Sequence, residues 1–327
     1  MMIRTIFTVS LLLAAFSAGA EQASQDDLNW LKKIVVATRQ SDYTGTFIYQ
    51  SGSYLETSRI THIREGENEF EKLEGLDGER SEVIRKNDQV WCYLGDSKVM
   101  VAKREGARTF PVLLPDRLDL LQENYLISHG EEDRVAGYHA ISFLFQPKDR
   151  MRFAHKFWAF SDSGMLLKAA VLDENHHVLD QYVFTQLQIG GDIDRKWIRK
   201  ENFAAAKPQA NSENDSPQNL KPVPVESGWK VNALPDGFRK IAELSRYMRG
   251  GDHPVIQLVY SDGLAGISVF IEKVGQKPAS RLGLFSKGVS HVFAKMQDGN
   301  LLTVVGEVPP RTVMQVAESV RYEGARK

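Results

Sequence analysis

The stretch "DYTGTFIYQ", residues 42–50, alternates without a break. Tyr43, Gly45, Phe47 and Tyr49 fall on one side of an extended strand, and Thr44, Thr46, Ile48 and Gln50 on the other. Such an aromatic row faces either a closed core or a cavity open enough for an apolar ligand, and the sequence leaves both readings standing. Period two then continues for well over a hundred residues, giving expected strands at 43–50, 54–64, 69–73, 80–85, 89–94, 98–104, 134–145, 151–160, 166–172 and 178–187. The segments between them carry turn residues: "SGS" at 51–53, "LDGE" at 76–79, "KND" at 86–88, "SDSG" at 161–164 and "DENH" at 173–176. Short turns between short strands predict an antiparallel meander.

Helical spacing appears twice in this part of the chain. Before the first strand, Leu28, Leu31, Ile34, Val35 and Thr38 share one face, with Asp26 and Asp27 complementing the positive helix end. "LPDRLDLLQENYL", residues 114–126, interrupts the strands with a second helical pattern. The expected fold is therefore α+β, with a large antiparallel sheet, curved or partly closed into a barrel, wrapped about helices.

Composition breaks at "AAAKPQANSENDSPQNLKPVP", residues 204–224, which lacks the apolar side chains needed to offset its ordering entropy and reads as a flexible linker. Beyond it, 225–322 predicts a smaller α+β domain. "PVIQLVYSDGLAGISVFIEKV" and "GVSHVFAKMQDGNLLTVVGEV" read as hairpins, and Pro309-Pro310 opens a closing helix. The large domain is bounded at 21–203. A chain of 327 residues fits two domains better than one.

Residues 1–20 read as a secretory signal peptide: Arg4, an apolar run from Ile6 to Phe16, then Ala18-Gly19-Ala20, with cleavage expected before Glu21. Export is the expectation. Cys92 is the only cysteine, so no internal disulfide can form, and in "VWCYL" it reads as a buried small apolar residue. With 41 basic and 42 acidic residues, the charge gives no footprint for nucleic acid.

Catalytic motifs are lacking. There is no G-x-S-x-G elbow, no phosphate-binding loop and no G-x-G-x-x-G. His176-His177 sits in a turn without metal-ligand spacing, and His62, His139 and His155 lie within strands as surface or core-edge residues. No enzyme activity, cofactor or metal is expected. The aromatic strands carry the remaining signal, with Phe47, Tyr49, Trp91, Phe143, Phe145 and Phe157 as candidates to line an apolar ligand site. In "HKFWAF" both faces are apolar, so one face meets the helices and the other needs a ligand, a second domain or a partner.

Several segments resemble the MucB/RseB family. They are "LDGERSEVIR" at 76–85, "LPDGF" at 234–238, "YSDGLAGISV" at 260–269 and "VVGEVPPRTVMQVAESV" at 304–320, in family order across the mature chain. One departure is visible: Glu79-Arg80-Ser81 stands where the family pattern has Pro-Arg-Arg, which puts that turn's part in any acidic contact in doubt. The resemblance implies a large domain like the periplasmic lipoprotein carriers, a half-open antiparallel β-barrel with helices in its mouth, and a non-enzymatic regulator of the sigma-E envelope-stress response. Such a regulator binds the periplasmic segment of a membrane-spanning anti-sigma factor, shields it from regulated proteolysis and is released by a lipid or lipopolysaccharide-like ligand. It assigns no partner-contact residues and leaves a homo-oligomer open. The alternative is a periplasmic carrier of lipids or lipoproteins with no signalling partner.

Overall fold

A computed structural model describes residues 25–87, 89–94, 97–101, 109–115, 117–198, 222–248, 253–274 and 282–324. The expected signal peptide, 1–20, and all but the last three residues of the expected linker, 204–224, lie outside the described residues.

Helix α1 (Gln25–Gln40) buries Leu31, Ile34 and Thr38 of the expected stripe, half-buries Leu28 and Val35, and buries Asp27 and Ala37 besides. An antiparallel sheet of 11 strands follows. It begins with β1 (Tyr43–Ser51), β2 (Tyr54–Glu65), β3 (Asn68–Gly75), β4 (Ser81–Lys86), β5 (Gln89–Leu94) and β6 (Ser97–Val101). After the short helix α2 (Asp119–Asn124) come β7 (Tyr125–Val135), β8 (Tyr138–Pro147), β9 (Ala154–Phe160), β10 (Leu166–Leu172) and β11 (Val178–Ile189). The order across the sheet is β6-β5-β4-β3-β2-β1-β11-β10-β9-β8-β7, an open sheet rather than a closed barrel. β1 thus lies at the centre, paired with β2 on one side and with the last strand, β11, on the other. β6 and β7 form the two edges, although they are consecutive in the chain.

The single strand expected at 134–145 is two strands. The chain reverses at Ala136 and Gly137, which both take positive φ, 51° and 87°, as a two-residue hairpin turn requires. The helical pattern of 114–126 yields only α2, because Tyr125 already belongs to β7. The strand expected from 151 starts at Ala154, after Arg152 and Phe153 have turned inward. Cys92 is half-buried, not buried: on β5 the deeply covered residue is Trp91. Gly45 marks a close approach of β1 to β11. A methyl group there would lie 2.7 Å from the Phe184 ring and from the Gln186 carbonyl, beside a bulge between Thr46 and Phe47.

The second unit contains β12 (Val223–Pro224), β13 (Trp229–Val231), β14 (Arg239–Tyr247), β15 (Pro254–Ser261), β16 (Gly266–Lys273), β17 (Gly283–Lys287), β18 (Ser290–Gln297) and β19 (Asn300–Gly306). Helix α3 (Pro310–Ser319) and β20 (Val320–Tyr322) close it, with Pro310 in the helix's first turn. Both expected hairpins form, β15–β16 and β18–β19, in the order β12-β14-β15-β16-β19-β18-β17. Its own core joins Leu258, Val269, Leu302 and Val304 of the sheet to Val313, Val316 and Ala317 of α3, all within 0% exposure.

Candidate functional site: the covered aromatic face and the interdomain clasp

Register assembles one face of the large sheet from residues far apart in the chain. Tyr49 stands opposite Tyr182, Tyr182 opposite Ala169, Ala169 opposite Phe157 and Phe157 opposite Phe143, one row over five strands. Phe47 stands opposite Phe184 on the same face, and Phe145 packs edge-on to Phe157 at 5.1 Å. Of the six sequence candidates, Phe47, Tyr49, Phe143, Phe145 and Phe157 are therefore brought together. Trp91 is not. It stands opposite Ile84, which pairs with Lys72, then Thr61, then Thr44, so it lies on the reverse face.

Protein atoms cover that row from two sides. Trp30 of α1 meets Phe143 with ring centroids 6.0 Å apart, and Leu31 and Ile34 join the same core. From the other side Phe110 packs against Phe47 at 5.2 Å, Phe184 at 4.9 Å and Tyr182 at 5.4 Å, followed by Leu114, Leu118 and Leu121. Topology explains the second cover: the chain leaving edge strand β6 must reach edge strand β7 at the opposite end of the sheet, and 109–115 and 117–124 lie across the face on the way. Phe47 is 5% exposed, Phe157 2%, and Phe143 and Phe145 0%. Tyr49 is half-buried and donates its hydroxyl to Asp180 Oδ2 at 2.7 Å, and burial raises its pKa.

The reverse face of β9 needs no outside company. Trp158 is sandwiched by its own neighbours, with Lys156 Nζ at 4.9 Å and Lys168 Nζ at 4.4 Å from the indole. At the β2–β4 end the aromatic face turns polar. Tyr43 stacks on His62 at 5.0 Å, His62 Nε2 meets Glu69 at 3.2 Å, and Arg85 bridges Glu69 and Glu71. Burial pushes the Glu69 carboxyl up, but the His62 hydrogen bond and the Arg85 charge outweigh it and hold Glu69 at about 2.

The two units meet at a buried charge. Arg152 Nη1 donates to Asp262 Oδ2 at 2.7 Å, Arg152 Nη2 to Asp149 Oδ2 at 2.9 Å and to the Asp236 carbonyl at 2.5 Å. The guanidinium lies 5.6 Å from the Tyr125 ring and 5.1 Å from that of Phe238. Tyr125 donates its hydroxyl to Asp262 Oδ2 at 2.9 Å, while Asp262 Oδ1 accepts from the backbone N–H of Leu264 and Ala265. One carboxylate thus shapes the β15–β16 turn and receives two donors from the large domain. Thr312 adds a bond to the Met151 carbonyl at 2.7 Å, and at Gly237 a methyl group would fall 2.1 Å from the Asn124 amide. Beside the clasp, His155 Nε2 is buried without a hydrogen-bond partner, and burial lowers its pKa to about 4. Sequence reading passed over Arg152 and Tyr125; Asp262 lay inside the "YSDGL" turn, where its only visible role was local.

Among the described residues no group of three or more His, Cys, Asp and Glu could hold a metal ion, and no helix is long and apolar enough to cross a membrane. Fold and site define a two-domain protein of open antiparallel sheets, with an aromatic face under its own cover and a charged clasp between domains. Residues 26–202 match the MucB/RseB N-terminal domain and 224–321 the MucB/RseB C-terminal domain; the chain belongs to the MucB/RseB family. It is 33% identical to the "Sigma factor AlgU regulatory protein MucB" of Pseudomonas aeruginosa, over 97% of this chain and 98% of that protein. Identity to the "Sigma-E factor regulatory protein RseB" of Haemophilus influenzae is 22%, over 97% of each. Among solved structures, MucB in complex with MucA(peri) matches with a TM-score of 0.70 at 29% identity, over 92% of this chain and 100% of that one. These relatives carry regulatory names, not enzymatic ones.

Proposed function

We propose that this chain is a periplasmic negative regulator of a sigma-E-type envelope-stress response. It binds the periplasmic segment of a membrane-spanning anti-sigma factor, protects that segment from regulated proteolysis and lets go when a lipid-like stress signal binds. The observation that carries this reading is coverage: both family domains are present, and the similarity to a MucB structure in complex with MucA(peri) runs through 92% of the chain. The domain bounds that go with it are 21–203, a linker at 204–224 and 225–322, with the leader 1–20 removed on export. The partner engages mainly the smaller domain and the groove beside the clasp. Phe47, Tyr49, Phe143, Phe145 and Phe157 are the seat of the lipid signal, reached once their cover moves. A pull-down with the anti-sigma periplasmic segment tests the reading. The chain from residue 21 should retain the segment and a chain ending at 224 should lose most of it; undiminished capture by the shorter chain removes the smaller domain from the interface.

A further inference from the structure

Away from the clasp, the two domains meet at a place where like charges face each other. In the large sheet Ser51 stands opposite Asp180, two positions along β1 and β11 from the Tyr49–Tyr182 pair, and Asp180 is only 4% exposed. Its Oδ2 accepts from the Tyr49 hydroxyl at 2.7 Å, whereas Oδ1 is buried with no hydrogen-bond partner among the described residues. A carboxylate withdrawn from water needs donors on both oxygens. The tip of the β17–β18 hairpin lies against this oxygen: a methyl group on Gly288 would fall 2.1 Å from Ser51 Oγ and 3.0 Å from Asp180 Oδ1. Glycine keeps the side of the tip that faces the carboxylate free of a side chain, and the tip itself is exposed. Glu307 follows β19, whose last residue, Gly306, pairs with His291 at the start of β18, so it stands at the base of the same hairpin. Its carboxyl is pushed up, first by partial burial and next by the Asp180 charge. Lys287, beside Gly288, lies over the Tyr54 ring at 5.9 Å, where Tyr54 donates to Glu56 at 2.9 Å. Two carboxylates from two domains thus share one seam, and one of them has a buried oxygen that lacks a donor.

We propose that this seam is a receptor for one arginine side chain of the partner segment. A guanidinium is a planar fork of five N–H donors with no acceptor, which suits two carboxylates set at different angles better than a single point charge does. It enters beside the Gly288 tip, donates to Asp180 Oδ1 and to the Glu307 carboxylate, and gives a further N–H to Ser51 Oγ. One positive group then satisfies the buried oxygen and cancels the repulsion between the domains. Because its acceptors come from both domains, the arginine binds while they are docked and not otherwise. The partner and the Arg152–Asp262 clasp therefore favour the same arrangement, and each strengthens the other by the same factor. This inference rests on the regulatory reading for its partner and adds to it the chemical group that is recognised.

Nuclear magnetic resonance of the isotope-labelled chain from residue 21 follows the amide signals of Ser51 and Gly288 while N-acetyl-argininamide is added. N-acetyl-citrullinamide serves as its neutral isostere and calcium chloride as a bare cation. The same titrations are run on the Asp180→Asn and Glu307→Gln variants, each first shown by circular dichroism and melting to be folded. The arginine probe should move both signals to saturation, the citrulline probe should leave them in place, and each variant should bind the arginine probe roughly tenfold or more weakly than wild type. Equal shifts from the citrulline probe, calcium saturating these signals where arginine does not, or variants with wild-type affinity each overturn the receptor. Capture of the anti-sigma segment is measured on the same samples and should fall roughly tenfold or more in both variants. A wild-type chain that captures nothing condemns the regulatory reading, and the arginine titration then decides the seam by itself. Full capture by both variants beside an active wild type condemns the receptor and leaves the regulatory reading standing.

Discussion

Arg152 and Asp262 come from loops of different domains, meet at 2.7 Å and are both shielded from solvent to 0% side-chain exposure. Removing one member of such a pair leaves the other charged and buried, which costs about 3–5 kcal/mol. Arg152→Met should therefore destabilise the chain by that amount in urea titration, with the loss falling on the smaller domain's docking rather than its own core. Asp262→Asn keeps the Oδ1 acceptor for Leu264 and Ala265. In the double-mutant cycle with Arg152→Met the coupling should be roughly 1.5 kcal/mol or more; additive losses would mean that the ion pair contributes nothing to docking.

Two glycines of similar backbone shape should respond differently to alanine. Gly237 has φ 80° and would press a methyl group 2.1 Å from Asn124, whereas Gly52, φ 57°, has open space. Gly52→Ala should cost only the strain of the left-handed backbone, about 1 kcal/mol. Gly237→Ala should cost about 1–3 kcal/mol more through overpacking. Trimming Asn124 to Ala in the Gly237→Ala background should recover part of it, as thermal melting can show.

Acid should weaken the fold in two steps. His155 has a pKa of about 4 when folded against an ordinary 6.5, so the unfolded chain takes up a proton that the folded chain refuses. Stability therefore falls as pH drops from about 6.5 to about 4. Glu69, held at about 2 against an ordinary 4.5, contributes stability that is present above pH about 4.5 and lost on the way down to about 2. Each step is at most about 3 kcal/mol, and that of Glu69, whose side chain is 25% exposed, is smaller through solvent screening. His155→Phe should flatten the upper step and leave the lower one; urea midpoints measured across both windows decide it.

Gly45 sits under the Phe184 ring at the centre of the aromatic face. Gly45→Ala should cost about 1–3 kcal/mol, because the ring has Phe47 and Phe110 on its other sides and nowhere to retreat. Pairing the change with Phe184→Leu should relieve it. A melting temperature for Gly45→Ala equal to that of wild type would show that the sheet flexes at the Thr46/Phe47 bulge.

Strand positions in the large domain were legible because one face of each is apolar and most turns carry Gly, Asp, Asn or Ser. The stretch 43–50 is the clearest case: Tyr43, Gly45 and Phe47 are buried and their neighbours half-buried, as alternation requires. Ala136-Gly137 was missed because alanine at positive φ is disfavoured in isolation, and only the pairing of β7 with β8 enforces it. The face assignment of Trp91 and Cys92 needed register, since in "VWCYL" both alternating sets are apolar and nothing local says which one looks inward. Arg152 was illegible for a different reason. Its partners lie at 149, 236 and 262, and a charged residue between strands reads as solvated surface unless a second domain is known to close over it.

The pairing of β1 with β11 sets an order of events in folding. Tyr43 stands opposite Ile189, so the central seam of the large sheet cannot close until the last strand is available. Up to that moment the chain holds two separate meanders, β1 to β6 and β7 to β10, with β1 and β10 unpaired where β11 should lie between them. Such non-local closure is slow, and an open edge of this kind recruits other chains. Because the aromatic row from Tyr49 to Phe143 runs across the seam, a fragment ending before β11 lacks Tyr182 and Phe184 and leaves the row in two halves.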